Sequence, residues 1–470
     1  MPVYRTQDLP SGVIQECHAQ FARLPKHGKP SRKGNGQAEW TILAGIVMST
    51  PTGISKHKPK EGDQHSDMGT GDNAGEHWDV ECISLATGSK CLPRGKQSPR
   101  GDLINDCHAE ILARRGFNKW CLLEMQAAIK DPNNTRNRFR YTGDSGDATT
   151  ASLALTQTEE SKGAFFNGRQ TRLDTGFDAN TKDNVTDEHG CYSVLGFRRG
   201  RIDYDSVGVL RTKPGRVDSE PTMSMSCSDK IARWSILGLT SALVAPFIAE
   251  PMYLTSVIAG DLFDETALER ALFKRISGCP FTDQGNAADE GTRGAQHQAD
   301  LPHPVSVHKS TEAFDYSKDI VAARSEQEGI IIPPVASPCS TSWIASEPSV
   351  TEVLVNGCKA GASTKKQISA KARSRLCKIN MFQTSAALWK SIPGTKPDLV
   401  ERMIRSSGTG LSEETESHPV VYKEWKRLSE SHWRSRERLL RSSFRNWIKS
   451  DDSLEMFDIE GNIDLAKPRS

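Results

Sequence analysis

The chain has 470 residues, of which 36% are hydrophobic and 26% charged, with a formal net charge of +2 and a mean hydropathy of −0.54. That length holds one large domain or two ordinary ones. With 61 Lys+Arg against 59 Asp+Glu, no nucleic-acid partner is visible in the total, so any basic surface has to be local.

Taken in order, residues 1–19 lack the apolar core of a signal peptide. Residues 40–48 form a compact apolar run that predicts a buried strand, and 80–86 a second. Residues 106–129 predict a helix, with Ile111, Leu112, Phe117, Cys121, Leu122 and Met125 near helical spacing. Strands are expected at 192–197 and 207–210. A helix is expected over 231–248, stopped by Pro246 or kinked past it, then a strand at 253–258. Residues 267–276 and 382–392 predict amphipathic helices, and 422–447 a long basic helical stretch. The longest apolar stretches, 42–48 and 236–249, are too short or too interrupted to span a bilayer.

Polar inserts separate these elements at 56–77, 173–190 and 279–340 and are expected to be surface loops. No internal repeat occurs. Strands alternating with helices predict an α/β fold in a single domain over 1–470. The 11 cysteines follow no disulfide framework. A reducing nucleus or cytoplasm is therefore expected, with any special cysteine a metal ligand.

Two segments carry chemistry. Asn105-Asp106-Cys107-His108-Ala109-Glu110 places His-x-Glu at a helix start. In that pattern an imidazole binds Zn²⁺, and a carboxylate that is not a ligand moves the proton of an activated water. Alone the pattern is weak, because a histidine at a helix start is usually a cap or a surface residue. Thr222-Met223-Ser224-Met225-Ser226-Cys227-Ser228-Asp229-Lys230-Ile231-Ala232-Arg233-Trp234, preceded by Pro221, sets a cysteine ahead of a helix, where backbone N–H groups stabilise a thiolate. A small buried core residue is the bland alternative.

Together these segments resemble the editing-type (A-to-I) RNA adenosine deaminases. Ala86-Thr87-Gly88-Ser89-Lys90-Cys91 resembles a strand end that lines the substrate pocket of that family, and Arg375-Leu376-Cys377-Lys378 follows in the family's order. The resemblance starts near Gly12, with no double-stranded-RNA-binding domain before it, which points to the tRNA-acting branch. It implies a cytidine-deaminase-like mixed sheet with helices on both faces and a C-terminal helical extension. It also implies zinc-dependent hydrolysis of adenosine to inosine beside the anticodon of an alanine tRNA, with no membrane or DNA partner.

By this resemblance His108, Cys227 and position 145 hold zinc, Glu110 is catalytic, and Ser89 and Lys90 touch substrate. The family also encloses an inositol hexakisphosphate. The matching positions are Asn105, Ile111, Arg114, Arg115, Lys230, Arg233, Trp234, Lys378, Tyr422, Lys426, Trp433, Arg436 and Trp447, where His432 and Trp433 depart from the family's residue types. A solvated face is the bland reading for each cation taken singly. The run Lys26, Lys29, Arg32 and Lys33 either reaches RNA or is a solvated tail.

One ligand position departs from the pattern. The family has Pro-Cys-Gly-Asp-Ala where this chain has Asp144-Ser145-Gly146-Asp147-Ala148. A hydroxyl is a far poorer zinc ligand than a thiolate. Three explanations stand side by side: an impaired relative that still binds RNA, an error in the coding sequence, or an unusual ligand set that works. A deaminase of free nucleosides or cytidine is a further alternative, disfavoured by the length and the basic C-terminal region.

Overall fold

The computed structural model describes residues 3–52, 77–141, 155–157, 162–168, 197–198, 209–213, 220, 222–260, 263–277, 302–303, 305–310, 312–363, 368–394 and 419–463. The inserts expected at 56–77 and 173–190 fall outside these residues, apart from His77, which begins a strand, and so do Asp144, Ser145 and Asp147.

A mixed sheet of nine strands forms the frame. Strand Leu43–Thr52 runs antiparallel to His77–Thr87 on one side and to Lys162–Gly168 on the other. Lys162–Gly168 pairs in parallel with Ser256–Ala259, which pairs in parallel with Ser306–Lys309. On the far side, Ser340–Ile344 runs antiparallel to His77–Thr87 and leads on to Thr351–Val355 and Cys358–Lys359.

The central strands are apolar on both sides because both sides are covered. Helix α1 (Leu9–Arg23) sets Val13, Ile14, Cys17 and Phe21 against Leu43, Val47, Val80, Cys82 and Leu85. Helix α2 (Ala109–Lys130) takes the alternate residues Ala44, Ile46, Met48, Ile83 and Ala86. The register shifts between Ile46 and Val47, which pair with Ser84 and Cys82, so Ile83 is an extra residue there. Gly116 lets α2 close on this sheet, since a Cβ there would lie 2.1 Å from the Ser84 hydroxyl.

The strands expected at 40–48 and 80–86 are present. The helix expected over 106–129 begins at Ala109, because Asp106–His108 is a short strand paired with Ser89–Cys91. Helix α3 (Cys227–Leu237) stops well before Pro246. Gly238 ends it with φ +79, where a Cβ would stand 2.9 Å from the Met252 carbonyl.

The stretch expected to be one loop over 279–340 holds ordered elements in its second half. These are strand Ser306–Lys309, helix Lys318–Gln327 and Val335–Ala336 paired with Glu39–Trp40. Phe314 and Tyr316 anchor this part edge-on against Phe21 of α1.

The basic stretch 422–447 is not continuous either. Helix Tyr422–Trp425 buries Trp425 in the α2 core, where its indole N–H donates to Ser385 Oγ at 3.0 Å. Helix Glu430–Arg441 buries Leu439 and Leu440 in a separate cluster with Ile236, Leu237 and Phe444. Two faces aimed at two clusters require a break between them.

Candidate active site

The paired strands Ser89–Cys91 and Asp106–His108 bring Ser89 directly opposite His108 and exposed Lys90 opposite Cys107. Gly88 makes the approach possible. Its φ is +143, and a Cβ there would lie 2.2 Å from the Cys107 carbonyl oxygen and from Ser340 Oγ. Its own carbonyl accepts the N–H of Ala109 at 3.0 Å, which fixes the first turn of α2.

His108 is the N-cap residue of α2, and Glu110 sits two positions into the helix, wholly buried. A carboxylate at that place is favoured by the helix dipole. The Nδ1–H of His108 donates to Asp106 Oδ1 at 3.0 Å, which leaves Nε2 as the nitrogen able to bind a metal. Burial, with Lys213 nearby, lowers the His108 pKa against the pull of Asp106, so the ring is held in the neutral form that ligates.

Asp106 is the hub of this corner. Lys213 donates to Oδ1 at 2.8 Å, Ser224 Oγ to Oδ2 at 2.7 Å, and Lys230 also to Oδ2. Burial works against its ionisation, but Lys213, Lys230 and His108 together hold its pKa well below the carboxylate range. Burial alone would depress Lys213; Asp106, then Cys227 and Glu110, raise it instead. Sequence reasoning missed Lys213 and the anchoring part played by Asp106.

Cys227 is the first residue of α3 and wholly buried. As a thiolate it would raise the pKa of both Lys213 and Lys230, so Cys227 lies close to the cations that also lie near His108 and Glu110. The α3 start is fixed by Ser226 Oγ, which accepts the Asp229 N–H at 3.1 Å. Asp229 in turn pairs with buried Arg275 at 2.6 Å.

A histidine oriented by a carboxylate, together with a cysteine among cations, is a donor set of the zinc type. Among the described residues no three His, Cys, Asp or Glu side chains form a complete metal-binding group. His108 and Cys227 thus fit two places of a zinc site, and position 145 lies outside what is described.

A second cluster lies where α2, α3 and the C-terminal helices meet. Arg114 rests 4.9 Å from the Trp234 ring centroid, Arg233 4.5 Å from Trp447 and Arg436 4.9 Å from Trp433. Lys378 and Lys426 lie over Tyr422 at 5.9 and 5.2 Å. Burial and neighbouring guanidinium charges push Arg114 down to about 9 and Arg233 to about 10. Burial, only partly offset by Glu455, pushes Lys378 down to about 8.

The Nε atoms of Arg114 and Arg233 are buried with no hydrogen-bond partner among the described residues. Glu455 pairs with Lys426 and stands 3.9 Å from Lys378, and Glu437 pairs with Arg436 at 2.9 Å. Buried cations in this excess fit a polyanion. Of the other expected members, Arg115 donates Nε–H to the Leu376 carbonyl at 2.6 Å, and Lys230 is engaged by Asp106. Ile111 packs on the main core, and the backbone carbonyl of Asn105 accepts the Leu92 N–H.

In the N-terminal basic run, Lys29 donates to the Ala22 carbonyl at 3.0 Å and Arg32 pairs with Glu328. Both are engaged within the protein. Among the described residues no helix is long and apolar enough to cross a membrane.

Comparison with known proteins places the chain in a family. The sequence family described as the adenosine-deaminase (editase) domain matches residues 84–451. The chain is 28% identical to tRNA-specific adenosine deaminase 1 of Schizosaccharomyces pombe, over 91% of this chain and 92% of that protein. It is 29% identical to the protein of that name from Drosophila melanogaster, over 81% and 82%. With the double-stranded RNA-specific adenosine deaminase of Rattus norvegicus it shares 32% identity over 65% of this chain but only 24% of the larger protein. The matched span holds the Asp106–His108–Glu110 corner, Cys227 and most of the cation cluster, and the chain belongs to the adenosine-deaminase (editase) domain family.

Proposed function

We propose that this protein converts adenosine to inosine in tRNA, with the adenosine beside the anticodon of an alanine tRNA as its target. The observation that carries the reading is the buried Glu110 beside an Asp106-oriented His108, in a chain similar along nearly all its length to tRNA-specific adenosine deaminases. The reading includes a single domain over 1–470, a cytidine-deaminase-like arrangement of the sheet and helices, and a place in the nucleus or cytoplasm, where thiols such as Cys227 stay reduced.

His108 and Cys227 would hold zinc, with position 145 the third place. When bound, zinc supplies Lewis-acid activation of water at neutral pH. Glu110 takes the proton of the attacking water and delivers it to the departing amine. Water adds at C6 of adenine and ammonia leaves, so the water oxygen becomes the carbonyl oxygen of inosine. Ser89, opposite His108, lines the mouth, and Lys90 meets a backbone phosphate there. An unpaired anticodon-loop base reaches such a buried centre at less cost than a base in a duplex.

The cation cluster is assigned to inositol hexakisphosphate, held by Arg114, Arg115, Arg233, Lys378, Lys426 and Arg436, with Trp234, Tyr422 and Trp447 backing the cations. Asn105, Ile111 and Lys230 complete the set of proposed ligand positions, and Lys230 also donates to Asp106.

The test is purified protein assayed for zinc, for phosphorus and for inosine formed in tRNA, duplex RNA and free adenosine. Zinc at one per chain with inosine appearing in tRNA supports the reading; inosine only from free adenosine overturns it. Ser145 favours a second reading, an impaired RNA-binding relative. Under that reading the wild type binds tRNA without turnover, and Ser145→Cys gains zinc and activity.

A further inference from the structure

The chain is nearly neutral, with 61 Lys+Arg against 59 Asp+Glu, yet two segments beside the candidate active site hold cations and no acid. Residues 93–100 contain Arg94, Lys96 and Arg100, and residues 353–373 contain five Lys or Arg; neither stretch has an Asp or Glu. The fold brings the two together. Leu92 and Leu103 pack with Cys358 and Ile368, and Ala362 and Ala372 close on the same cluster. The Ile104 N–H donates to the Gly357 carbonyl at 2.9 Å. Gly357 has φ +81, and a Cβ there would lie 2.4 Å from the Ile104 carbonyl oxygen, so the segments meet backbone to backbone.

The first of these segments is the loop that closes the active-site strand pair. The Leu92 N–H donates to the Asn105 carbonyl at 2.8 Å, one step beyond the pairing of Cys91 with Asp106. Arg94 is five residues from Ser89, so the two lie at most about 18 Å apart, or roughly five steps of a nucleic-acid strand. Arg94, Lys96 and Lys371 are exposed and form no ion pair among the described residues, whereas Lys359 beside them pairs with Glu352 at 3.4 Å. Glu220 is engaged by the backbone of the Arg94–Lys96 turn, accepting the Gly95 N–H at 2.6 Å. Exposed Asp451 senses Arg94 more weakly than its own hydrogen bonds to Ser453.

A lone surface Lys or Arg is ordinarily just solvated. Three on one apolar base, on a rim that leads out of the pocket, in a chain with almost no net charge, fit an extended polyanion. We propose that Arg94, Lys96 and Lys371 form a second RNA-backbone contact, which holds tRNA by phosphates outside the loop that enters the active site. The proposal rests on the tRNA reading above and extends the line begun by Lys90 at the mouth. A pocket that admits one base needs its hold on a large RNA elsewhere, and phosphate contacts position the RNA without reading its sequence. Such contacts are made alike before and during the reaction, so they act on KM and leave kcat alone.

The experiment measures tRNA binding by the full chain between about 50 and 200 mM salt. The rim variant combines Arg94→Gln, Lys96→Gln and Lys371→Gln. The control combines Lys130→Gln, Lys309→Gln and Arg324→Gln, which removes the same charge from exposed positions at the end of α2, on strand Ser306–Lys309 and on helix Lys318–Gln327. The rim variant should bind roughly tenfold or more weakly than the control, with a log–log salt slope shallower by about 2 to 3. Its unfolding midpoint and zinc content should match wild type, and its inosine formation should show a raised KM with kcat retained. A rim variant with the affinity and salt slope of the control overturns the proposal and leaves the tRNA reading standing. Wild-type protein that binds no tRNA overturns that reading and the proposal together.

Discussion

Asp106 accepts the Nδ1–H of His108 at 3.0 Å while the buried Lys213 ammonium donates to the same oxygen at 2.8 Å. One carboxylate therefore orients the His108 ring and neutralises a buried cation. Asp106→Asn leaves Lys213 and Lys230 facing a neutral amide. The expected cost is about 3–5 kcal/mol of stability and about 10- to 100-fold in zinc affinity. Denaturant unfolding and chelator competition measure the two. Unchanged zinc affinity would remove Asp106 from the orienting role.

Glu110 is buried in the first turn of α2 and is not required as a ligand. Glu110→Ala should lower turnover by at least about 10²-fold with zinc content unchanged. Turnover near the wild-type rate would show that the proton moves by another group.

Gly88→Ala tests the close approach of the paired strands Ser89–Cys91 and Asp106–His108. The new methyl would meet the Cys107 carbonyl at 2.2 Å with φ at +143, so the paired strands must separate. A loss of about 1–3 kcal/mol is expected, with activity falling further than stability because Ser89 and His108 move apart. Gly36→Ala is the control: its φ is also positive, at +84, but nothing lies within 4 Å. Equal effects at both positions would mean that backbone strain alone, not the close approach, sets the cost.

Glu455 gives a pH dependence with a defined sign. Burial raises its pKa, but Lys426 and Lys378 outweigh burial and the folded value is lowered. Its contribution to stability is therefore complete above the unfolded value of about 4.3 and is lost as pH falls through the folded value. Glu455→Gln should flatten the acid limb of the unfolding midpoint in that window. An unaltered acid limb would show that other carboxylates set it.

Much of this site was legible before any coordinates. His-x-Glu and Cys227 are local patterns, and the strands around Leu43 and Leu85 follow from apolar runs. Lys213 was not legible, because it lies in a short polar segment and acquires its meaning only when Asp106, more than a hundred residues away, closes on it. The end of α3 was misread for a related reason. Pro246 is the louder local signal, but Gly238 ends the helix with a positive φ, and a side chain there would meet Met252 and Pro251 across the turn. The break near Leu428 was also hidden, since a continuous basic pattern does not reveal that Trp425 and Leu439 belong to different clusters.

The core around α2 has a consequence for synthesis. One side of that helix is covered by strands made before it, but Phe382, Trp425 and Phe457 complete the same cluster from the far end of the chain. Between Lys130 and Val420 a ribosome needs roughly 15–60 s. Over that interval α2 gains its cover stepwise, from Phe139, then Trp234 and Phe247, then Phe382, with Trp425 and Phe457 last. The nascent chain should thus be most dependent on chaperones after α2 appears and before Trp425 does, and emergence of the segment 425–457 should act as the step that completes this core.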